Sequence, residues 1–294
     1  TIIVIGTPII NNVKCFNGND GNIVINPTGG TGGYTYNWSN GQTTASNFNL
    51  TQGSYNVTVT DINFCTATAT YSVTQPAAAL SIDNATITDA KCFGSNDGII
   101  NASVSGGTSP YNYLWSNGTT VNPSTTFTAG VWTLTVTDFN SCTVTASYTV
   151  NQPTQLTVTA ATSDVQCFGG TDGSATITAT GGSSGYSYTW SAVGSGTSSA
   201  LPANTYTVTV TDVNSCTATV SFSINQPTAL VAVINTQPAD CFGANTGSAT
   251  VNTSGGITPY SYSWSNAGTN TSIQNLTAGS YSCTVTDGHS CTVS

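Results

Sequence analysis

Behind Gly173 the chain alternates in single steps: Ala175, Ile177 and Ala179 on one side, Ser174, Thr176, Thr178 and Thr180 on the other. A period of two predicts a half-buried β-strand. The run ends at Gly181-Gly182, and an aromatic strand follows in which Tyr186, Tyr188 and Trp190 share one face. A second alternating strand, Thr205 to Thr211, leads into Cys216 and a last strand-like tail ending at Gln226-Pro227. No segment carries the 3.6-residue period of a helix.

The same order occurs four times. Gly-Gly pairs stand at 29–30, 106–107, 181–182 and 255–256. The other aromatic triplets are Tyr34/Tyr36/Trp38, Tyr111/Tyr113/Trp115 and Tyr260/Tyr262/Trp264. First cysteines are spaced by 77, 75 and 74 residues. A period near 75 is long enough for each unit to bury its own small core. Proline cannot donate to a strand ladder, so Gln75-Pro76, Gln152-Pro153 and Gln226-Pro227 mark the unit ends. The expected domains are 1–76, 77–153, 154–227 and 228–294. The last lacks the counterpart of Thr68–Pro76, so it reads as truncated of its final strand, or completed by a strand from elsewhere. Short junctions predict a semi-rigid array, with each strand of about ten residues spanning roughly 33 Å.

Local turn chemistry agrees with strands. Asn40-Gly41 and Asn117-Gly118 follow the aromatic strand as hairpin signals. Gly53, Gly130 and Gly279 precede the penultimate strand, and Asn204 replaces them in the third unit; this predicts a left-handed residue there. Six or seven short antiparallel strands around a central Trp give the expected fold class: all-β, a tandem array of four immunoglobulin-like sandwiches, each with one internal disulfide. The cysteines sit ahead of one strand and at the start of the last, unlike the antibody arrangement, so the strand topology stays open.

Composition narrows the function. The chain has 294 residues, two Lys and no Arg, and a net charge of −9. Charged residues make up 4%, so solubility rests on Thr, Ser, Asn, Gln and Gly. Two Lys against eleven Asp are too few to hold nucleic acid. No apolar run is long enough to insert in a membrane, and Thr1–Ile10 lacks the basic start of a secretion signal, which fits a segment of a longer chain.

Eight of nine cysteines fall at repeat-equivalent positions. The repeat predicts pairing within each unit: Cys15–Cys65, Cys92–Cys142, Cys167–Cys216 and Cys241–Cys291. Such bridges belong to an oxidising, extracellular compartment. Cys283 aligns with Val57 at an inward position and reads as a buried free thiol.

The ordered set Cys-Phe-Gly-x-x-Asp-Gly, Gly-Gly, Tyr-x-Tyr-x-Trp-Ser, Gly-x-Tyr-x-Val-x-Val-Thr-Asp, Cys-Thr and Gln-Pro resembles the SprB-type repeat of very large bacterial cell-surface proteins, including gliding-motility adhesins. The resemblance covers nearly the whole chain and weakens in the fourth unit, where Asn245-Thr246-Gly247 replaces Asp-Gly. It implies surface display, export by the type IX route, and an adhesin- or filament-like role. Its implied partners are neighbouring repeats of a longer chain and other protomers of a filament.

Catalytic residues are poorly supplied. There is no Glu, the single His289 stands at a variable loop position, and no Ser or Cys has a neighbouring base, so an enzyme is not expected. Calcium is the one cofactor with candidate ligands: Asp20, Asp97 and Asp172 in Asp-Gly turns, and Asp61, Asp138, Asp212 and Asp287 after the Val-Thr run. The competing reading, that these carboxylates cap turns and loops, is preferred, and no obligatory metal is expected. The aromatic triplets could stack on sugars, but polar residues opposite them favour a sandwich core. Asn37, Asn49, Asn84, Asn101 and Asn252 stand in glycosylation triplets that arise by chance in so Asn- and Thr-rich a chain. The functional expectation is a non-enzymatic stalk or filament segment on a bacterial surface. The alternative is an array of modules that each bind surface polysaccharide through the shared Cys-Phe-Gly and Asp-Gly loops.

Overall fold

The computed structural model describes residues 1–191 and 198–294, and all its elements among these are β-strands. The chain divides into two compact units, Thr1–Gln152 and Pro153–Ser294, each holding two repeats.

Repeat 2 shows the plan. Its six strands are Ser81–Thr88, Gly98–Ser105, Asn112–Trp115, Ser124–Phe127, Gly130–Thr137 and Thr143–Val150. They form two three-stranded antiparallel sheets, in the order fourth–second–first and third–fifth–sixth. Strands one, two and four facing three, five and six reproduce the ABE and CFG sheets of an immunoglobulin-like sandwich. Repeat 1 (Ile9–Asn11, Gly21–Val24, Thr35–Trp38, Ser46–Leu50, Gly53–Thr60, Thr66–Val73) and repeat 3 (Thr157–Ser163, Gly173–Thr180, Ser187–Trp190, Ser198–Leu201, Asn204–Thr211, Thr217–Ile224) follow the same order. Repeat 1 adds a short ladder of Ile3–Val4 on Thr28–Gly29. In repeat 4 the strands are Val231–Gln237, Gly247–Ser254, Ser261–Trp264, Ser272–Leu276, Cys283–Thr286 and Thr292–Val293. Its sixth strand is therefore begun, rather than missing as expected, and Val293 pairs with Val285.

Alternation buries one face of each sheet, and the two buried faces make one core per repeat. In repeat 2 that core holds Ile100, Trp115, Phe127, Leu134, Val136 and Val150. Trp115 packs edge-on against Phe127 at 4.8 Å, and its indole N–H donates to the Val121 carbonyl at 3.1 Å. Trp38 and Trp264 are likewise buried, and the flanking tyrosines pack on the cores as half-buried rings. The triplet is core, as its spacing predicts. Cys283 is buried in the core of repeat 4, also as expected.

The sixth strand closes each core at its far end. Val73, Val150 and Ile224 are buried against a glycine of the second strand; a Cβ on Gly173 would stand 2.6 Å from the Ile224 side chain. Up to Ser294, repeat 4 places no equivalent side chain there. Gly247, Ala249, Leu276 and Tyr281 instead line a cleft of about 750 Å³.

One expectation is corrected. Gly53, Asn204 and Gly279 have no positive φ, and of the four positions only Gly130 does, at 152°. They begin or adjoin the fifth strand. The left-handed residues are Asn49, Ala200 and Asn275, with φ of 58°, 65° and 57°. They sit near the end of the fourth strand, where the register against the second strand slips in a bulge.

Candidate functional site: the cysteine loops

Each repeat carries two cysteine loops, one after the first strand and one after the fifth. In the second kind, an aspartate at the end of the Val-Thr run organises the turn. Asp138 is buried; its Oδ1 accepts from the Asn140 and Cys142 amides at 2.9 and 2.8 Å, and its Oδ2 from Thr108 at 2.9 Å. Asp61, Asp212 and Asp287 make the same three bonds to equivalent amides. The amide of Thr31, helped by those of Cys65 and Asn63, holds the Asp61 carboxyl below the ordinary aspartate range. Ser183, Cys216 and Asn214 do so for Asp212. At Asp287 burial pushes upward, but the Ile257, Cys291 and His289 amides outweigh it. The clamp needs a glycine beside it: Gly107 has φ of 58°, and a Cβ there would stand 2.7 Å from Asp138 Oδ2.

The first-cysteine loop is held from two sides. Asp20, Asp97 and Asp172 accept the amides of Lys14, Lys91 and Gln166 at 3.0, 3.1 and 3.2 Å. Gln75, Gln152 and Gln226, from the Gln-Pro boundaries, accept the amides of Asn17, Gly94 and Gly169 at 2.9, 2.7 and 2.7 Å. In repeat 4 Thr246 takes the aspartate's place and accepts from Asp240 at 3.0 Å. All seven calcium candidates thus act as acceptors for backbone amides, the turn- and loop-capping role. Among the described residues no cluster of three or more His, Cys, Asp or Glu is placed to hold a metal.

The expected within-repeat disulfides are overturned. Cys15 bonds Cys142 and Cys167 bonds Cys291, with Cα–Cα separations of 5.8 and 5.7 Å. The first cysteine of one repeat is thereby stapled to the second cysteine of the next. Cys65 and Cys241 are free and exposed, contrary to expectation; Cys92 and Cys216 are both disulfide-bonded.

Topology gives the reason. The Cys15 loop packs at the end of the sixth strand, where Val13 donates to Thr74 and Asn17 to Gln75. Cys65 lies at that strand's beginning, before Thr66. The eight residues between separate the two loops by roughly 25 Å, far beyond the reach of a disulfide. The signal is the sixth strand itself: its eight-residue ladder on the fifth strand holds the two loops at opposite ends of the sheet.

Each staple is buttressed. Asn140 Nδ2 donates to the Lys14 carbonyl at 3.0 Å and to Thr108 Oγ1 at 3.0 Å. In the second unit His289 replaces the asparagine, with Nδ1 3.2 Å from the Gln166 carbonyl. The bond to a carbonyl requires the Nδ1–H tautomer. Sequence reasoning gave His289 no role and used the boundary glutamines only as unit-end markers; the signal for His289 was its place two residues before Cys291, and for the glutamines their recurrence at each Gln-Pro.

A further bond lies outside the sequence expectations. Tyr55, Tyr206 and Tyr281 donate their hydroxyls to the carbonyls four residues back, and Trp132 does so with its indole N–H. This is the tyrosine corner of sandwich domains.

No curated protein matches the chain. Among solved structures it is similar to the N-terminal four Ig domains of Dscam1, with 12% identity, TM-score 0.24, and 98% of this chain and 96% of that one covered. It is also similar to extracellular domains 3–5 of Drosophila OTK, with 9% identity, TM-score 0.27, and coverage of 76% and 97%. The family model described as the SprB repeat matches residues 7–43, 84–120, 159–195 and 233–269, together just over half of the chain. The chain belongs to the SprB repeat family.

Proposed function

We propose that this chain is a non-enzymatic, extracellular, load-bearing segment of an adhesion-type surface protein on a bacterial cell, exported by a type IX route and functioning as a stalk or filament. The supporting observation is the stapling of successive repeats. A disulfide inside one domain protects only that domain, whereas Cys15–Cys142 and Cys167–Cys291 each join two domains. Tension that opens one repeat is passed by the bond to its neighbour. Inter-domain disulfides persist in an oxidising compartment, and hydroxyl-rich strand faces keep the surface wet without charge. Neighbouring SprB-type repeats are the expected partners, and no cofactor is needed.

Single-molecule stretching tests this. A fully extended chain of 294 residues spans about 1,000 Å. The oxidised chain should stop well short of that, and a reductant should release the remainder. Equal contour lengths in the two states would overturn the load-bearing reading.

The alternative, a polysaccharide-binding array, is favoured by a separate observation. The Phe of each first-cysteine loop (Phe16, Phe93, Phe168, Phe242) is an exposed aromatic. Saturable binding of the array to a glycan panel, lost on Phe93→Ala with Phe168→Ala, would support it. No binding leaves the repeats as spacer.

A further inference from the structure

Cys65 and Cys241 are the two thiols left over by one pairing rule. Within each compact unit, the first cysteine of a repeat bonds the second cysteine of the repeat after it. Cys241 is a first cysteine and Cys65 a second cysteine, and both are free and exposed. We propose that they are complementary halves of one more inter-repeat staple, each taking the matching cysteine of another SprB-type repeat, and that a second copy of this chain supplies it head to tail as a Cys241–Cys65 bond.

Both halves are built before any partner arrives. Around Cys65, Asp61 already clamps the amides of Asn63 and Cys65, and Asn63 Nδ2 already donates to Thr31 Oγ1 at 2.9 Å. Asn140 stands in the same place with the same threonine bond, and uses its second hydrogen on the carbonyl of the residue before Cys15. It is half-buried there, whereas Asn63 is exposed. Around Cys241, the turn bond from Ala244 to the Cys241 carbonyl, at 3.0 Å, matches the bond from Gly18 to Cys15 and from Gly170 to Cys167. The carbonyl of Asp240 stands where those of Lys14 and Gln166 receive Asn140 and His289. Beside the two thiols lie exposed aromatics: Phe64, 87% exposed, and Phe242, 110%. Two apolar rings flanking complementary thiols are suited to being covered in one joint.

Forming the bond removes two electrons and two protons from the thiols, so an oxidant is needed. A low-molecular-weight disulfide such as oxidised glutathione suffices. The Cys241 thiolate attacks it, forming a mixed disulfide and releasing one glutathione thiolate. The Cys65 thiolate of the second copy then attacks the Cys241 sulfur, and the second glutathione leaves.

The test uses the intact chain with its internal bridges formed, incubated in a glutathione redox buffer and read by non-reducing electrophoresis and peptide mapping. The expected result is a ladder of dimers and higher species whose new cross-link maps to Cys65–Cys241. Cys65→Ser and Cys241→Ser each abolish the ladder, and a mixture of the two variants stops at dimer. Both positions are exposed, so the variants should keep the parent's melting temperature, which is measured alongside. Cys283 is buried and stays out of the exchange. A chain that stays monomeric overturns the proposal, as do homotypic Cys65–Cys65 or Cys241–Cys241 dimers forming as readily as the mixed one, or a Cys65–Cys241 bond within a single chain. Stretching of the monomer reads the load-bearing function separately, so either can fail alone.

Discussion

Asn140 donates to the main-chain carbonyl of Lys14, a residue 126 positions earlier, and the Cys15–Cys142 bond lies beside that contact. The polar contact fixes where the loop of one repeat meets the loop of the previous one, and the bond makes the meeting permanent. Removing the bond with Cys15→Ser and Cys142→Ser together should lower the stability of the first unit by up to about 5 kcal/mol, the chain-entropy value for so long a loop. Cys65→Ser should leave stability within about 0.5 kcal/mol of the parent, as expected for an exposed position outside any bridge. Denaturant unfolding of the variants checks both. Equal losses from Cys15→Ser and Cys65→Ser would restore the within-repeat pairing.

The aspartate clamps make the fold acid-sensitive in a definite window. Asp61 and Asp212 have carboxyl groups held below the ordinary value of 3.8 by backbone amides. A depressed folded pKa gives stability that is fully present above the unfolded value and lost as pH falls through the folded one. Stability should therefore be flat from neutral pH to about 5 and fall below about 4. Asp61→Asn combined with Asp212→Asn should flatten that acid limb. Because the two oxygens of each carboxylate already accept three amides, calcium should leave the melting temperature unchanged; a rise on adding calcium would return these residues to metal ligation.

Much of this architecture is legible in the residues, and the exceptions share a cause. The alternation around Ile177 and Val208, the burial of Trp38 and the turn at Asn40-Gly41 follow from period and local backbone preference. Gly41 does take φ of 85° and closes on Trp38. The cysteine partners do not follow, because the repeat makes Cys15–Cys65 and Cys15–Cys142 equally regular in sequence. Only the travel of the sixth strand from Thr66 to Val73 separates them. The left-handed residue was displaced for a similar reason: a bulge against Gly21 moves it from Gly53 to Asn49.

The tyrosine corner should carry a measurable share of each repeat's stability. Tyr206 is buried and donates to the Pro202 carbonyl at 2.9 Å, so Tyr206→Phe leaves that acceptor without its partner. The expected loss is about 1 kcal/mol. At Trp132 an indole N–H makes the same bond to Thr128, so Trp132→Tyr should cost less than Trp132→Phe. Thermal unfolding of the pair of variants ranks the two; equal losses would show that ring packing, rather than the bond, is what matters.

The cleft of repeat 4 predicts a gain. In repeats 1 to 3 the side chain of Val73, Val150 or Ile224 seals the core against a glycine, and the following Gln binds the first-cysteine loop. Repeat 4 lines the same place with Gly247, Leu276 and Tyr281 around open space. Appending the sequence of residues 69–76 after Ser294 would continue the strand begun at Thr292–Val293, returning a valine to the cleft and a glutamine to the loop at Phe242. Burying that valine is worth about 1.5–3 kcal/mol, before the cost of ordering the added residues. The extended chain should melt higher, and Tyr281 should lose solvent exposure. Replacing the added valine with aspartate should abolish the gain, since a lone carboxylate is costly in an apolar cleft. If the valine and aspartate extensions stabilise equally, the gain comes from backbone pairing along the fifth strand and the cleft contributes nothing.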